Sequence, residues 1–272
     1  MADSISDSSA RIPGVSAQIL DYVTLFERLE AGHTLITANI RLSRILTGRY
    51  NQWRIERGDR QWQSPSVVSW SAWLDRLWEA ASLQNEHGTD RAVPANRQLT
   101  GLWELTLKQE PLAQGLLRPE SLASQLRDTR KMIVDWRVDL DDRAWFGDEN
   151  ENHSAFRRWN LAFERRCEQG NWISPEDRMG LLSEAFDNGG LGAPTDIDLL
   201  GFDEFNPGQA DLLGALIRSG SIVHDLSIES RQQEAVLLRC TDSRSELEQM
   251  ARWVRYWFEK EPQASIAVAV HD

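Results

Sequence analysis

Apolar residues recur at two different spacings along this chain, and the alternation of the two predicts an α/β fold. Short, mainly apolar runs, which are typical of buried parallel strands, occur at positions 34–37, 197–200, 221–224, 235–240 and 265–270. Between these runs, apolar residues recur every three or four positions, as they do in amphipathic helices. Strands that alternate with helices predict a parallel sheet that is covered by helices.

The middle of the chain carries the helical spacing alone. We expect an all-α block over residues 91–190, inserted between two α/β portions at 18–90 and 191–272, and a disordered tail over 1–17. A capped helix is predicted to start at Ser174-Pro175, and apolar spacing from Ile19 to Leu29 predicts the first helix. The chain stops directly after an apolar run, so we expect it to be truncated before a second lobe.

The first apolar run leads into a turn and a helix. In a nucleotide hydrolase this turn carries Gly-x-x-x-x-Gly-Lys-Ser/Thr, because backbone amides wrap the phosphates and the lysine neutralises them. Here the turn reads Thr37-Ala38-Asn39-Ile40-Arg41-Leu42, without Gly or Lys. The candidates for contact with a nucleotide or with DNA are therefore Thr37, Asn39, Arg41 and Arg44, although solvated helix charges are the favoured interpretation of the two arginines.

A second strand-to-helix turn carries adjacent acids. The run at 197–200 continues as Gly201-Phe202-Asp203-Glu204-Phe205-Asn206-Pro207-Gly208-Gln209. In nucleotide hydrolases the first such acid helps to hold Mg²⁺ and the second orients the attacking water. Asp203 and Glu204 are thus the candidate catalytic residues, Asp203 the candidate metal ligand, and Gln209 a further candidate for binding. The alternative is a polar turn that caps a helix.

A third segment is rich in tryptophan. Residues 65–78 predict a short strand and a helix with Trp70, Trp73 and Trp78 on one apolar face. Such aromatic residues either belong to the core or stack on single-stranded bases.

These three segments, in this order, resemble the N-terminal, helicase-like region of bacterial DNA-repair proteins of the AddB and RecB-like exonuclease family. The resemblance is carried by Thr-Leu-Ile-Thr-x-Asn-x-Arg-Leu-x-Arg, Pro-x-Val-x-Ser-Trp-x-x-Trp-Leu and Gly-Phe-Asp-Glu-Phe-x-Pro-x-Gln. It implies a degenerate P-loop-NTPase-like core of the superfamily 1 helicase type with an inserted helical subdomain. It also implies DNA, as a single strand or a duplex end, and a helicase or nuclease subunit as partners.

The absent motifs narrow the expected activity. The nuclease motif of this family needs an acid two residues before a lysine, but Thr106, Thr129 and Phe258 precede Lys108, Lys131 and Lys260. We therefore expect a non-catalytic domain that acts as a DNA channel or subunit scaffold, without a cofactor. Two alternatives stay open: a weak ATPase that uses Mg²⁺ and ATP at Asp203 and Glu204, and an interaction protein or remnant without a DNA role.

Composition limits the partners and the compartment. With a net charge of −12 and a pI near 5.0, any DNA contact must be local. Cys167 and Cys240 are isolated, and no Cys or His spacing predicts a zinc site. The chain has neither a signal-like N-terminus nor an apolar run of roughly 18 residues, so we expect a cytoplasmic protein without a membrane span.

Overall fold

The computed structural model describes residues 12–84, 88–110, 119–141, 151–229 and 237–269. The chain divides into two compact units, Met1–Glu229 and Ser230–Asp272. No helix among the described residues is long and apolar enough to cross a membrane.

The first unit is built on a parallel sheet that, within the described residues, has five strands. They are β1 (Ser16–Leu20), β2 (Thr34–Thr37), β3 (Val67–Ser69), β4 (Asp196–Leu200) and β5 (Ile222–Ile228). Their order across the sheet is β1-β5-β4-β2-β3, and every neighbouring pair is parallel. The predicted α/β architecture with a parallel sheet is confirmed.

Helices cover both faces of this sheet. The helices of the first unit are α1 (Tyr22–Glu30), α2 (Ile40–Glu56), α3 (Trp70–Leu83), α4 (Asn96–Gln109), α5 (Pro119–Asp135), α6 (Glu151–Gln169), α7 (Arg178–Asp187) and α8 (Pro207–Arg218). Alternate residues of β2 point to opposite faces, so Leu35 packs with α1 and α2 while Ile36 packs with α3, α7 and α8. Trp70, Trp73 and Trp78 are at most 8% exposed in this second layer, which confirms their interpretation as core.

The middle of the chain forms a helical layer with a core of its own. Apolar side chains of α4, α5 and α6 pack together, and the rings of Trp103 and Phe163 stack with centroids 4.3 Å apart. The helical spacing predicted between residues 91 and 187 is confirmed by α4 to α7.

The start of the first unit differs from the prediction. Residues 16–20 form β1, whereas the apolar spacing had placed Ile19 and Leu20 in a helix and residues 16 and 17 in a disordered tail. Each residue of β1 is paired in register with β5, more than 200 positions away, and local spacing cannot reveal such a partner. The helix begins only after Asp21, whose side chain accepts a hydrogen bond from Thr24 N at 2.7 Å.

A second difference concerns the start of α7. The prediction of a helix from Ser174-Pro175 was wrong, since α7 begins at Arg178. Glu176 and Asp177 lie in a turn, where both carboxylates accept hydrogen bonds from Arg130 of α5. The acids that would suit the first turn of a helix are used in this long-range ion pair instead.

The second unit contains one described helix, α9 (Ser243–Lys260). The side chain of Asp242 caps it by accepting a hydrogen bond from Ser245 N at 2.7 Å. The strand predictions at 235–240 and 265–270 are wrong at 237–240 and 265–269, which form no strand. An apolar run becomes a strand only where a neighbouring strand completes its hydrogen bonds. Positions 235, 236 and 270 lie outside the described residues.

Candidate functional site at the carboxyl edge of the sheet

The chain changes direction across the sheet between β2 and β4. From β2 it passes through α2 to β3 on one side, and from β4 it passes through α8 to β5 on the other side. In open parallel sheets, ligands bind outside the carboxyl ends of strands at such a reversal. The two turns that follow β2 and β4 touch here, because Ala38 N donates a hydrogen bond to Leu200 O at 3.2 Å.

The turn after β2 satisfies its own polar groups. Thr37 is fully buried, and its hydroxyl donates to Asn39 O at 2.9 Å. Asn39 is the N-cap of α2, and its side-chain oxygen accepts from Leu42 N at 3.0 Å. Arg41 and Arg44 are exposed and form no ion pair with a described residue. The four residues predicted for this turn thus include two that maintain the turn and two that project into solvent.

An apolar side chain lies between the two turns. Gly201 has a φ of +81°, and a Cβ added to it would lie 2.5 Å from Leu42 Cδ2. Leu42 therefore packs directly against the backbone of the turn that follows β4. This close approach, together with the positive φ, explains why position 201 is a glycine.

In the turn after β4 the aromatic side chains pack against one another, whereas the acidic side chains are exposed to solvent. The rings of Phe202 and Phe205 stack with centroids 5.0 Å apart, and Phe202 also meets the edge of Trp70 at 5.8 Å. Asp203 and Glu204 are exposed and form no hydrogen bond or ion pair with a described residue. Within the described part of the chain, no group of three or more His, Cys, Asp or Glu could hold a metal ion.

The buried acid of β4 is Asp198, which the sequence had not suggested. Asp198 is 1% exposed and accepts hydrogen bonds from Arg28 Nε at 2.8 Å and Nη2 at 2.5 Å. His33 Nδ1 lies 3.3 Å from its Oδ2 without hydrogen-bond geometry. This carboxylate faces α1, on the side of the sheet away from α3 and α8, and the partly exposed Arg28 neutralises its buried charge.

A cleft of about 380 Å³ lies on the α3 and α8 side of the same edge. The starts of two helices that pack on the sheet form one wall: those of α3, at Trp70 and Ser71, and of α8, at Asn206 and Gln209. The opposite wall comes from the helical layer, through α4, α5 and the segment before α7. The cleft thus lies between the sheet layer and the helical layer of one compact unit.

Asn206 and Gln209 form a capping box at the start of α8. Asn206 Oδ1 accepts from Gln209 N at 2.8 Å, and Gln209 Oε1 accepts from Asn206 N at 3.0 Å. Because both side-chain oxygens bind backbone N–H groups, both amide NH₂ groups must point away from the helix start. Neither NH₂ group has a hydrogen-bond partner among the described residues, and both side chains line the cleft.

Opposite charges are balanced along the cleft. Arg127 binds Asp128 at 2.8 Å, Lys131 binds Asp135 one turn further along α5, and Glu176 binds the buried Arg130. The remaining cation, Arg178, binds Asp75 at 2.6 Å. Burial opposes the charge on Arg130, but Asp177 and Glu176 outweigh it and raise its pKa above the ordinary value. The charged side chains that line the cleft therefore balance, and the cleft has no strong charge of either sign.

The structure therefore separates the predicted site residues. Gln209 lies in the cleft, whereas the exposed arginines and the acid pair are not part of its lining. Asn206 was missed, although an Asn followed three positions later by Gln is the sequence pattern of a capping box. The residues of α4 and α5 that face the cleft carry no local signal, because their position depends on how two layers pack.

A search of protein-family models gave no match to this chain, and a search of curated proteins gave none either. The resemblance to AddB and RecB-like exonucleases consequently rests on the three sequence segments alone.

Proposed function

We propose that this chain is a helicase-like domain without ATPase activity, belonging to a DNA repair or recombination exonuclease. Its role is that of a DNA channel or of a scaffold for a helicase or nuclease subunit. The family assignment rests on the sequence resemblance. The parallel sheet supports a P-loop-like core, because the two motif-bearing turns follow neighbouring strands at a reversal of strand order. In this reading α4 to α6 correspond to the inserted helical subdomain.

The contact between Leu42 and Gly201 is the observation that favours a domain without hydrolase activity. A phosphate group at the end of β2 needs open space and free backbone N–H groups. Leu42 lies against the neighbouring turn, and its N–H is already bound by Asn39. A nucleotide would have to displace a packed leucine and a helix cap.

The alternative of a weak Mg²⁺-ATPase is favoured by one observation. Asp203 and Glu204 follow β4 at the reversal point, beside the end of β2, and both carboxylates are accessible. In that case Asp203 would hold the metal and Glu204 would orient water. Arg41 or Arg44 would then have to replace the missing lysine.

Calorimetry with ATP and Mg²⁺ separates the two functions. We expect no ATP turnover, and no saturable binding of ATP that depends on Mg²⁺. Turnover that Glu204→Gln abolishes would instead establish the ATPase. Arg218→Gln is a suitable control, because Arg218 lies at the other end of α8 and pairs with Asp187.

Titration with single-stranded and forked DNA over a salt series tests the DNA role. A steep loss of affinity with rising salt is expected for contacts to the phosphate backbone. If no DNA binds even at low salt, the DNA-channel role is wrong for this chain, and the interaction protein suggested by its net charge of −12 takes its place.

A further inference from the structure

The cleft beside α8 presents two fixed hydrogen-bond donors. The capping box uses the oxygen atoms of Asn206 and Gln209, so their NH₂ groups are held in place by the helix itself. A donor that is oriented before binding loses little freedom when a ligand arrives. A ligand for this wall must therefore offer acceptor atoms, such as ring nitrogens or carbonyl oxygens.

The rest of the cleft restricts the class of ligand further. Its volume of about 380 Å³ is at the small end of the range for ligand pockets, so it suits a small molecule or one unit of a polymer. Leu74, Leu99 and Met179 supply an apolar lining that suits a flat ring. Three cations and three acids line it together, which disfavours a polyanion such as a triphosphate.

We propose that this cleft binds a single nucleotide, with Asn206 and Gln209 donating hydrogen bonds to acceptor atoms of the base. Carboxamide groups are common partners of base edges, and the carboxylate of Asp128 at the cleft can accept from an exocyclic amine. Arg127 and Lys131 lie one turn apart on α5 and both line the cleft, where they can meet one phosphate. The proposal does not use Asp203 or Glu204.

The nucleotide can come from two sources, a free monophosphate or one unit of a DNA strand. The test is a calorimetric titration with each of the four 2′-deoxynucleoside 5′-monophosphates and, separately, with a short oligothymidylate. Binding of a monophosphate identifies the free nucleotide, and binding of the oligomer alone identifies a strand.

The double variant Asn206→Asp/Gln209→Glu isolates the two donors. Aspartate and glutamate keep the capping oxygens, so α8 should stay capped and the melting temperature should stay close to that of the wild type. Both NH₂ donors are lost, and acceptors take their place. We expect affinity to fall at least about 10-fold, the size expected for two lost hydrogen bonds.

Two further variants complete the design. Asn51→Asp makes the same chemical change on α2, outside the cleft, and keeps the side-chain oxygen that accepts from Trp62 Nε1, so it should leave affinity unchanged. Ser71→Trp places a large ring at an exposed residue of the cleft wall and should abolish binding, even if the double variant does not fold.

Three results would overturn the proposal: no saturable binding of any monophosphate or of the oligomer, binding that neither cleft variant changes, or an equal loss with Asn51→Asp. If ATP binds in a Mg²⁺-dependent way and the cleft variants leave this binding intact, the proposed function is contradicted. The proposal of nucleotide binding in the cleft is unaffected by that result.

Discussion

On both sides of the carboxyl edge of the sheet an asparagine caps a helix, but one side is closed and the other side is an open cleft. On one side Asn39 caps α2, and Leu42, three residues later, packs against Gly201 and closes the space. On the other side Asn206 caps α8, and Gln209, again three residues later, completes a capping box and leaves two donors facing a cleft. An asparagine after a parallel strand therefore predicts that a helix begins there. It does not predict whether the space beside the end of the strand is filled or forms a cleft.

Whether the space is closed or open depends on the residue three positions after the capping asparagine and on the elements that face the helix start. A leucine in the first turn can pack on an adjacent turn, whereas a glutamine there folds back onto its own helix. The cleft also needs a second wall, which the helical layer supplies through α5 and the segment before α7. Substitutions at these points should separate the two contributions.

The largest effect is expected at Arg130, which joins α5 to the segment before α7. Arg130 is 4% exposed, and its guanidinium donates to Glu176 at 2.6 Å and to Asp177 at 2.8 Å. In Arg130→Ala the largely buried Glu176 loses its cation, so the free energy of unfolding should fall by roughly 3–5 kcal/mol. Urea unfolding measures this loss.

Arg127 provides the matched control for that experiment. It lies one turn earlier on α5, but its partner Asp128 is largely exposed, so Arg127→Ala should cost less than about 1 kcal/mol. Equal losses for the two variants would show that the ion pairs of Arg130 do not join these two segments. Arg130→Met should recover part of the lost stability if packing contributes alongside charge.

A smaller effect is expected on the closed side, at Gly201. In Gly201→Ala the new methyl group is strained by the left-handed backbone angle and lies too close to Leu42. The free energy of unfolding should therefore fall by about 1–3 kcal/mol. The double variant Leu42→Ala/Gly201→Ala removes the contact but keeps the backbone strain.

The cycle formed by these variants measures the contact itself. We expect a coupling energy of about 1 kcal/mol, because the methyl group added at position 201 finds space only when Leu42 is shortened. Strict additivity of the two single substitutions, seen in chemical denaturation, would mean that Leu42 does not fill the space between the turns.

How far the sequence predicts this molecule differs between its strands. The short, mainly apolar runs of β2 and β4 predict buried parallel strands, and the turns after them were located correctly. β1 was missed because its pairing partner is distant and because Ser16, Ala17 and Gln18 do not form an apolar run. Outer strands pair on one side only and need less apolar surface than central ones.

The candidate site was predictable in part for the same reason. Local patterns predicted that a helix follows each of the two turns, since a helix start depends on three or four adjacent residues. The acid that is buried is Asp198 inside β4, not the pair that follows the strand, because Arg28 of another element pairs with it. The cleft required the packing of two layers, and no local spacing carries that information.

The smallest predicted effect concerns pH and the α1 side of the sheet. His224 of β5 lies beside Asp198 in register, and its Nδ1 is 2.7 Å from Ser16 Oγ and 3.0 Å from Gln18 Nε2 of β1. Burial, together with the charges of Arg28 and His33, lowers the pKa of His224 below its ordinary value of 6.5, against a smaller opposing influence of Asp198.

The unfolded chain therefore binds a proton at His224 more readily than the folded one. Stability contributed by the neutral ring should be complete above about pH 7 and should decrease as the pH falls through 6.5 towards the lowered value. In His224→Gln this part of the decrease should vanish, which urea midpoints between pH 7.5 and 5.5 would detect as a shallower slope than that of the wild type. Identical slopes for both proteins would mean that protonation of His224 does not weaken the pairing of β1 with β5.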